Sequence, residues 1–150
     1  MTRAQCIIHR SSQILMVKHH LNDEEWWCLP GGGVEPQESP AETVLRELEE
    51  ECCVRGQIVN QVRHLTEGFG IETITFLVEI GSQEPHMGSD PEFAQDDQIL
   101  VDVRWLTLAE IPERDRAYLW AAGLMSIPIF LDEVSKWDDE LSYPPDKSKV

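Results

Sequence analysis

Positive charge is scarce in this chain. Its 150 residues carry 12 Lys and Arg against 28 Asp and Glu, a formal net charge of −16. A field of that sign repels nucleic-acid backbones and anionic membrane surfaces, so neither is expected as a partner. A phosphate-bearing ligand must arrive with its charge masked by a metal ion or meet a local group of cations. No apolar run is long enough to span a bilayer, and the first twenty residues alternate like strands instead of forming a signal peptide. A cytoplasmic location is the expectation. None of the four cysteines, Cys6, Cys28, Cys52 and Cys53, forms a C-x-x-C pair, and the adjacency of the last two suits neither zinc nor an ordinary disulfide. Reduced, mostly buried thiols are expected. No internal repeat or linker divides the chain, so one domain is expected over 1–137, followed by an acidic, flexible tail over 138–150.

The stretch from Pro30 to Val54 is the most informative: a glycine loop, Gly31-Gly32-Gly33, runs into a glutamate-rich helix. Ser39 is a good N-cap, Pro40 suits the first helical position, and Glu42 completes a capping box. At about 100° per residue, Ala41, Val44, Leu45, Leu48 and Cys52 form a stripe suited to packing on a sheet. Glu47, Glu50 and Glu51, spaced i, i+3 and i+4, converge on a neighbouring arc. A glutamate-rich helix taken alone is usually a solvated face, and like charges at these spacings each destabilise a helix by a few tenths of a kcal/mol. A divalent cation reverses that sign. Hard oxygen donors favour Mg2+, with Mn2+ as the alternative, over Zn2+. Gly31 and Gly32 allow close backbone approach and offer carbonyls as further ligands.

The spacing resembles the Nudix box, G-x5-E-x7-R-E-U-x-E-E-x-G-U with U aliphatic: Gly32, Glu38, Arg46, Glu47, Leu48, Glu50, Glu51 and Val54 match in register. Trp27-Cys28-Leu29-Pro30-Gly31-Gly32 also resembles the family's lead-in. One defined position departs, Cys53 standing where the family has a glycine that ends the helix in the left-handed conformation. That puts the helix end in question and leaves the acidic positions intact.

Elsewhere, 3–9 and 13–19 read as a hairpin turning at Arg10-Ser11-Ser12. His19 and His20 carry little weight as a metal pair, with contact at the substrate edge as their other role, and Trp26 and Trp27 are packing anchors with base stacking as the minority role. Strands are expected around Ile58 to Val62, over Ile71 to Ile80 and over Val101 to Leu106. Thr107 to Glu110 forms another capping box. Arg114 to Phe130 reads as a helix broken near Pro128, covering the sheet, with pocket wall or homodimer surface as sharper roles. The polar loop 81–98 is long for a compact domain.

The resemblance implies an α/β fold, a Nudix-type α/β/α sandwich with a mixed sheet between helices. It implies hydrolysis of a nucleoside diphosphate linked to another moiety, by water attack on a phosphorus of the pyrophosphate. Glu47, Glu50 and Glu51 would hold Mg2+ with a carbonyl of Gly31 or Gly32. Arg46 lies about 40° outside their arc and is expected to pair with Glu38, tying loop to helix. The 81–98 loop is expected to add one carboxylate, as metal ligand or base, from Glu92, Asp96 or Asp97. Spacing to the next strand favours Asp97. Phe69 stands where ADP-ribose pyrophosphatases carry a proline, and the upstream pattern of coenzyme A hydrolases is not found. The expected substrate is therefore a small nucleotide, a nucleoside triphosphate or modified nucleotide of the housecleaning type. ADP-ribose or another conjugate is the alternative, and a non-catalytic nucleotide-sensing module is the reading from outside enzymology.

Overall fold

The computed structural model describes residues 1–89 and 99–137. The tail 138–150, and Glu92, Asp96 and Asp97 of the long loop, lie outside them. Two four-stranded sheets form the centre. In the first, β1 (Thr2–Ile7) lies between β5 (Gly31–Gly33), antiparallel to it, and β7 (Glu72–Glu79), parallel to it; β6 (Gln57–Thr66) pairs antiparallel with β7 at the edge. In the second, β3 (Gln13–Leu21) pairs antiparallel with β2 (His9–Arg10), β4 (Glu24–Cys28) and β8 (Leu100–Thr107).

The expected opening hairpin is therefore confined to β2 and β3. β1 does not fold back on β3 but leaves for the other sheet, where its partners come from residues 31–33 and 72–77. Strand alternation reads which face is buried and is silent on which neighbour supplies the ladder.

Helix α1 (Pro40–Cys52) covers one side. Val44, Leu48 and Cys52 are buried in a cluster with Ala4, Cys6, Leu15, Val17, Phe76 and Val78. On the other side α2 (Glu113–Ala121) and α3 (Pro128–Ser135) enclose Ile7, Ile14, Met16, Leu106, Leu119 and Phe130. The result is an α/β/α sandwich. Period-two alternation along β3 decides the partition, since Leu15 and Val17 face α1 while Ile14 and Met16 face α2 and α3.

Two helix boundaries differ from the sequence reading. The break after α2 falls at Gly123, which adopts φ 90°, a left-handed conformation suited to glycine. Pro128 begins α3 at the first helical turn, where its lack of an N–H costs nothing. At the end of α1, Cys53 takes the left-handed conformation (φ 57°, ψ 34°) in spite of its side chain, and its N–H donates to the Glu49 carbonyl at 3.1 Å. The next carbonyls, which glycine-capped helices leave to water or to their own turn, receive the backbone N–H groups of a distant segment. Ser89 donates to Glu50, Gly88 to Glu51 and His86 to Cys52, at 2.8 to 3.0 Å. A Cβ on Gly88 would lie 1.8 Å from the Glu50 oxygen, so the approach requires glycine.

Candidate active site

The glycine strand and α1 meet edge to edge. Gly31 to Gly33 pair with Gln5 to Arg3 of β1, and a Cβ on Gly31 would stand 2.2 Å from the Ala4 carbonyl oxygen. A Cβ on Gly32 would stand 2.3 Å from Glu47 Oε1. The two glycines thus have different duties: the first lets backbone meet backbone, and the second leaves a cradle for a carboxylate.

The start of α1 is as the sequence implies. Ser39 accepts from the Glu42 N–H at 3.1 Å while Glu42 accepts from the Ser39 N–H at 3.1 Å. Glu38 then locks the loop to the helix. Its Oε2 accepts from Arg46 Nε at 2.7 Å, and its Oε1 accepts from Arg46 Nη2 at 3.0 Å and from the Thr43 hydroxyl at 2.6 Å. These bonds, the guanidinium's first, hold the Glu38 carboxyl well below its ordinary value, at about 2. The same pair raises the Arg46 pKa, keeping it charged. Thr43, fully buried, is a member of this lock that periodicity does not single out.

The three box carboxylates fall in two groups, with Glu47 and Glu51 close to the glycine strand. Arg46 Nη1 stands 3.2 Å from both Glu47 Oε1 and Glu50 Oε2, so the guanidinium joins them. Glu51 turns to the other side, where its Oε1 accepts from the Gly31 N–H at 2.9 Å and its Oε2 stands 3.5 Å from His19 Nε2. The Gly31 N–H, not its carbonyl, is therefore the group facing this carboxylate. Among the described residues no group of three or more His, Cys, Asp or Glu side chains is arranged to hold a metal ion. The positive charge among Glu47 and Glu50 comes from Arg46, and the three acids follow their own partners. The donor set nevertheless suits a hard cation. Glu47 and Glu51 are 7% and 4% exposed, all candidate donors are oxygens, and the Gly32 cradle admits the Glu47 carboxylate to the strand.

His19 is the residue of this centre to which sequence reasoning assigned too little weight. The signal was available: it continues the Leu15, Val17 face of β3 that points at α1. Its Nδ1 lies 3.7 Å from Cys28 Sγ, and its ring meets Trp26 edge to face at 5.8 Å.

Between β4 and α2 lies a cavity of about 390 Å3, a volume at the lower end of small-molecule sites. Trp26, Trp27 and Tyr118 supply aromatic wall, and Gln5, Arg114 and Asp115 supply polar groups. Asp115, 2% exposed, accepts from the Trp27 N–H at 3.0 Å and from Arg114 Nε at 3.2 Å, pinning α2 to β4. Gln5 and Cys28 connect this cavity to the carboxylates, the one through its pairing with Gly31 and the other through His19.

A glycine strand feeding a helix whose acids, arginine and preceding glutamate lock together defines the Nudix class of folds. The chain belongs to that class by descent: the NUDIX domain family model matches residues 1–126, and the protein is a member of the NUDIX family. It is 33% identical over 110 residues to diphosphoinositol polyphosphate phosphohydrolase 2 of Rattus norvegicus, covering 66% of this chain and 61% of that protein. It is 34% identical over 103 residues to diphosphoinositol polyphosphate phosphohydrolase 3-alpha of Mus musculus, covering 61% of this chain and 62% of that protein. The chain thus spans about three fifths of these relatives. Among solved structures, a MutT NUDIX hydrolase from Burkholderia pseudomallei superposes with a TM-score of 0.60 at 23% identity, over 74% of this chain and 85% of that one. An Ap4A hydrolase of C. elegans superposes with a TM-score of 0.62 at 15% identity, over 90% and 99%. These likenesses agree with the sandwich described above. No helix among the described residues is long and apolar enough to cross a membrane.

Proposed function

We propose that the protein is a Mg2+-dependent pyrophosphohydrolase acting on a small nucleotide, a nucleoside triphosphate or a modified nucleotide. The reading is supported by the box carboxylates on α1 together with an aromatic-walled cavity on the α2 side, one of whose lining residues, Gln5, pairs with Gly31. Glu47, Glu50 and Glu51 would hold the cation, with a carbonyl of Gly31 or Gly32 as a further ligand. When bound, Mg2+ (or Mn2+) neutralises charge on the phosphoryl oxygens. The chain's own residues then bind and orient. Glu38 and Arg46 fix the loop on the helix, the cavity takes the base by contact with Trp26, Trp27 and Tyr118, and water attacks phosphorus as the bridging P–O bond breaks. A carboxylate from the 81–98 loop accepts the water's proton. Asp97 is the assignment, so Asp97→Asn should slow turnover more than Glu92→Gln or Asp96→Asn.

The relatives' names raise a second reading, a diphosphoinositol polyphosphate. A ligand with so many phosphates needs several cations. Among the described residues lining the cavity, Arg114 is the single cation, paired with Asp115, and Glu24 adds a second acid to the lining. The net charge of −16 works in the same direction. An uncharged aromatic ring suits the cavity better.

A phosphate-release screen over nucleoside triphosphates, oxidised and alkylated nucleotides, ADP-ribose and a diphosphoinositol polyphosphate, each with Mg2+, Mn2+ or EDTA, tests the reading. Turnover of a nucleotide that stops with EDTA is the expected result, and Glu50→Gln should collapse it without loss of the fold. Tight nucleotide binding without cleavage would identify a sensing module instead.

A further inference from the structure

Glu51 finds its partners outside its own helix. One oxygen is held by the Gly31 N–H and the other faces the imidazole of His19, 3.5 Å away on β3. Both side chains are shielded, with 14% of His19 and 5% of Glu51 accessible. A carboxylate is an acceptor only, whereas a neutral imidazole has one donor and one acceptor nitrogen. If the proton sat on Nδ1, the Nε2 lone pair would point at a carboxylate oxygen in a poorly hydrated place, which is repulsive. With the proton on Nε2 the same contact becomes a donor facing an acceptor. An approach of about 0.6 Å gives an ordinary N–H···O bond.

The other ring nitrogen settles the choice from its own side. Nδ1 lies 3.7 Å from Cys28 Sγ, and a neutral thiol is a weak donor. Burial, and then the charge of Glu51, push the Cys28 thiol up to about 12, so it keeps its proton at neutral pH and has one to offer. Two contacts on opposite sides of one ring thus ask for the same tautomer. The ring is steadied by the edge of Trp26, which also lines the cavity.

We propose that His19 is a positioning residue for Glu51: Cys28 S–H donates to Nδ1, fixing the Nε2–H tautomer, and Nε2–H holds Glu51 against the glycine strand. The second lone pair on each Glu51 oxygen stays available to a cation. The proposal rests on the reading of Glu51 as part of the metal site. Partners of this kind are worth about 10- to 100-fold in metal affinity or activity.

Three measurements on the full chain test it. Long-range 15N–1H spectra of the imidazoles in the wild type should report the Nε2–H form for His19; a predominant Nδ1–H form overturns the proposal without reference to metal or turnover. Cys28→Ala should release the tautomer into a mixture, and Cys28→Ser, which keeps a donor, should restore Nε2–H. Equal spectra for the two variants would show that the thiol only fills space. Titration with Mn2+ followed by electron paramagnetic resonance should show about 10-fold or greater weakening in His19→Ala and substantial recovery in His19→Gln, whose amide can donate to Glu51. Thermal melts establish that each variant is folded. If the wild type binds Mn2+ and His19→Ala binds it equally well, the positioning role fails alone. If the wild type binds no Mn2+, the metal-site reading fails and takes the positioning role with it.

Discussion

Replacing Gly32 by alanine isolates the carboxylate site from the fold. The new Cβ would stand 2.3 Å from Glu47 Oε1 and 2.6 Å from its Cδ, where ordinary contact begins near 3.4 Å. Glu47 must therefore move by about 1 Å, the difference between those contacts, a displacement that can cost about 100-fold when it misplaces a reacting group. The same oxygen is 3.2 Å from Arg46 Nη1, so the link to Glu50 opens as well. Stability should change little. The obstacle is the end of a side chain that can swing aside, Gly32 does not adopt a positive φ, and alanine lowers the entropy of the unfolded chain by about 0.4–1 kcal/mol. Gly31→Ala is the control, because its Cβ meets the Ala4 carbonyl at 2.2 Å and Gln5 Cα at 2.7 Å. Neither can yield without opening the β1–β5 pair, and the cost is on the order of 3 kcal/mol. Calorimetry and steady-state kinetics on the two variants should separate them: Gly32→Ala with a Tm within about 3 °C of the wild type and kcat/KM down about 100-fold, Gly31→Ala with a large fall in Tm. Wild-type kcat/KM in Gly32→Ala would refute the idea that the cradle sets the position of Glu47.

Cys53→Gly should stabilise the protein. Left-handed backbone costs a residue with a Cβ about 1–2 kcal/mol, and the extra unfolded-state freedom of glycine returns about half of that. A rise in Tm of about 2–4 °C is expected, with none for Cys53→Ala, and melts of the three proteins check it. Acid should weaken the loop-to-helix lock. The Glu38 carboxyl is lowered in the folded state from 4.5 to about 2, so its contribution is complete above pH 4.5 and disappears as pH falls towards 2. Urea titrations at pH 6 and pH 3 should show Glu38→Gln much less stable than the wild type at the higher pH and closer to it at the lower. Arg46→Lys should lose stability and turnover together, since an ammonium cannot bond Glu38 in bidentate fashion while reaching Glu47 and Glu50; unchanged kinetics would remove Arg46 from the support of the site.

Helix α1 was legible nearly to the residue because its signals are local. The Ser39 cap, the Pro40 start and the apolar stripe each act within a few positions, and the Glu38–Arg46 pair spans one loop. The mixed α/β sandwich was legible as a class. What escaped were facts of non-local pairing. The partners of β1 lie 26 to 70 residues away in sequence, and nothing in its alternation names them. The break at Gly123 was read at Pro128 because proline is the louder signal within a helix, although at the first turn it is a starting residue. His19 was set aside as half of a histidine pair, when its face on β3 and not its neighbour His20 decides what it meets.

The one departure from the box has its explanation in the same non-local category. A glycine at position 53 would let the helix end satisfy itself, with the free carbonyls turned to solvent or to the following turn. Here the residue is Cys53, strained and exposed, while His86, Gly88 and Ser89 bring three backbone donors to the last three carbonyls of α1. Those carbonyls belong to Glu50, Glu51 and Cys52, so the segment that completes the helix also fixes the backbone beneath two of the candidate ligands. Strain at Cys53 of about 1–2 kcal/mol is modest beside three hydrogen bonds that would otherwise be left to water, at about 1 kcal/mol each. The family's glycine can therefore be dispensed with in this chain, provided Gly88 is kept, since any side chain there would collide with the Glu50 carbonyl. Gly88→Ala should thus damage both the helix end and turnover, and Cys53→Gly in the same chain should recover part of the stability. Cys53→Gly should therefore stabilise the Gly88→Ala chain by more than it stabilises the wild type; equal gains in the two backgrounds would show that the positions are not coupled in this way.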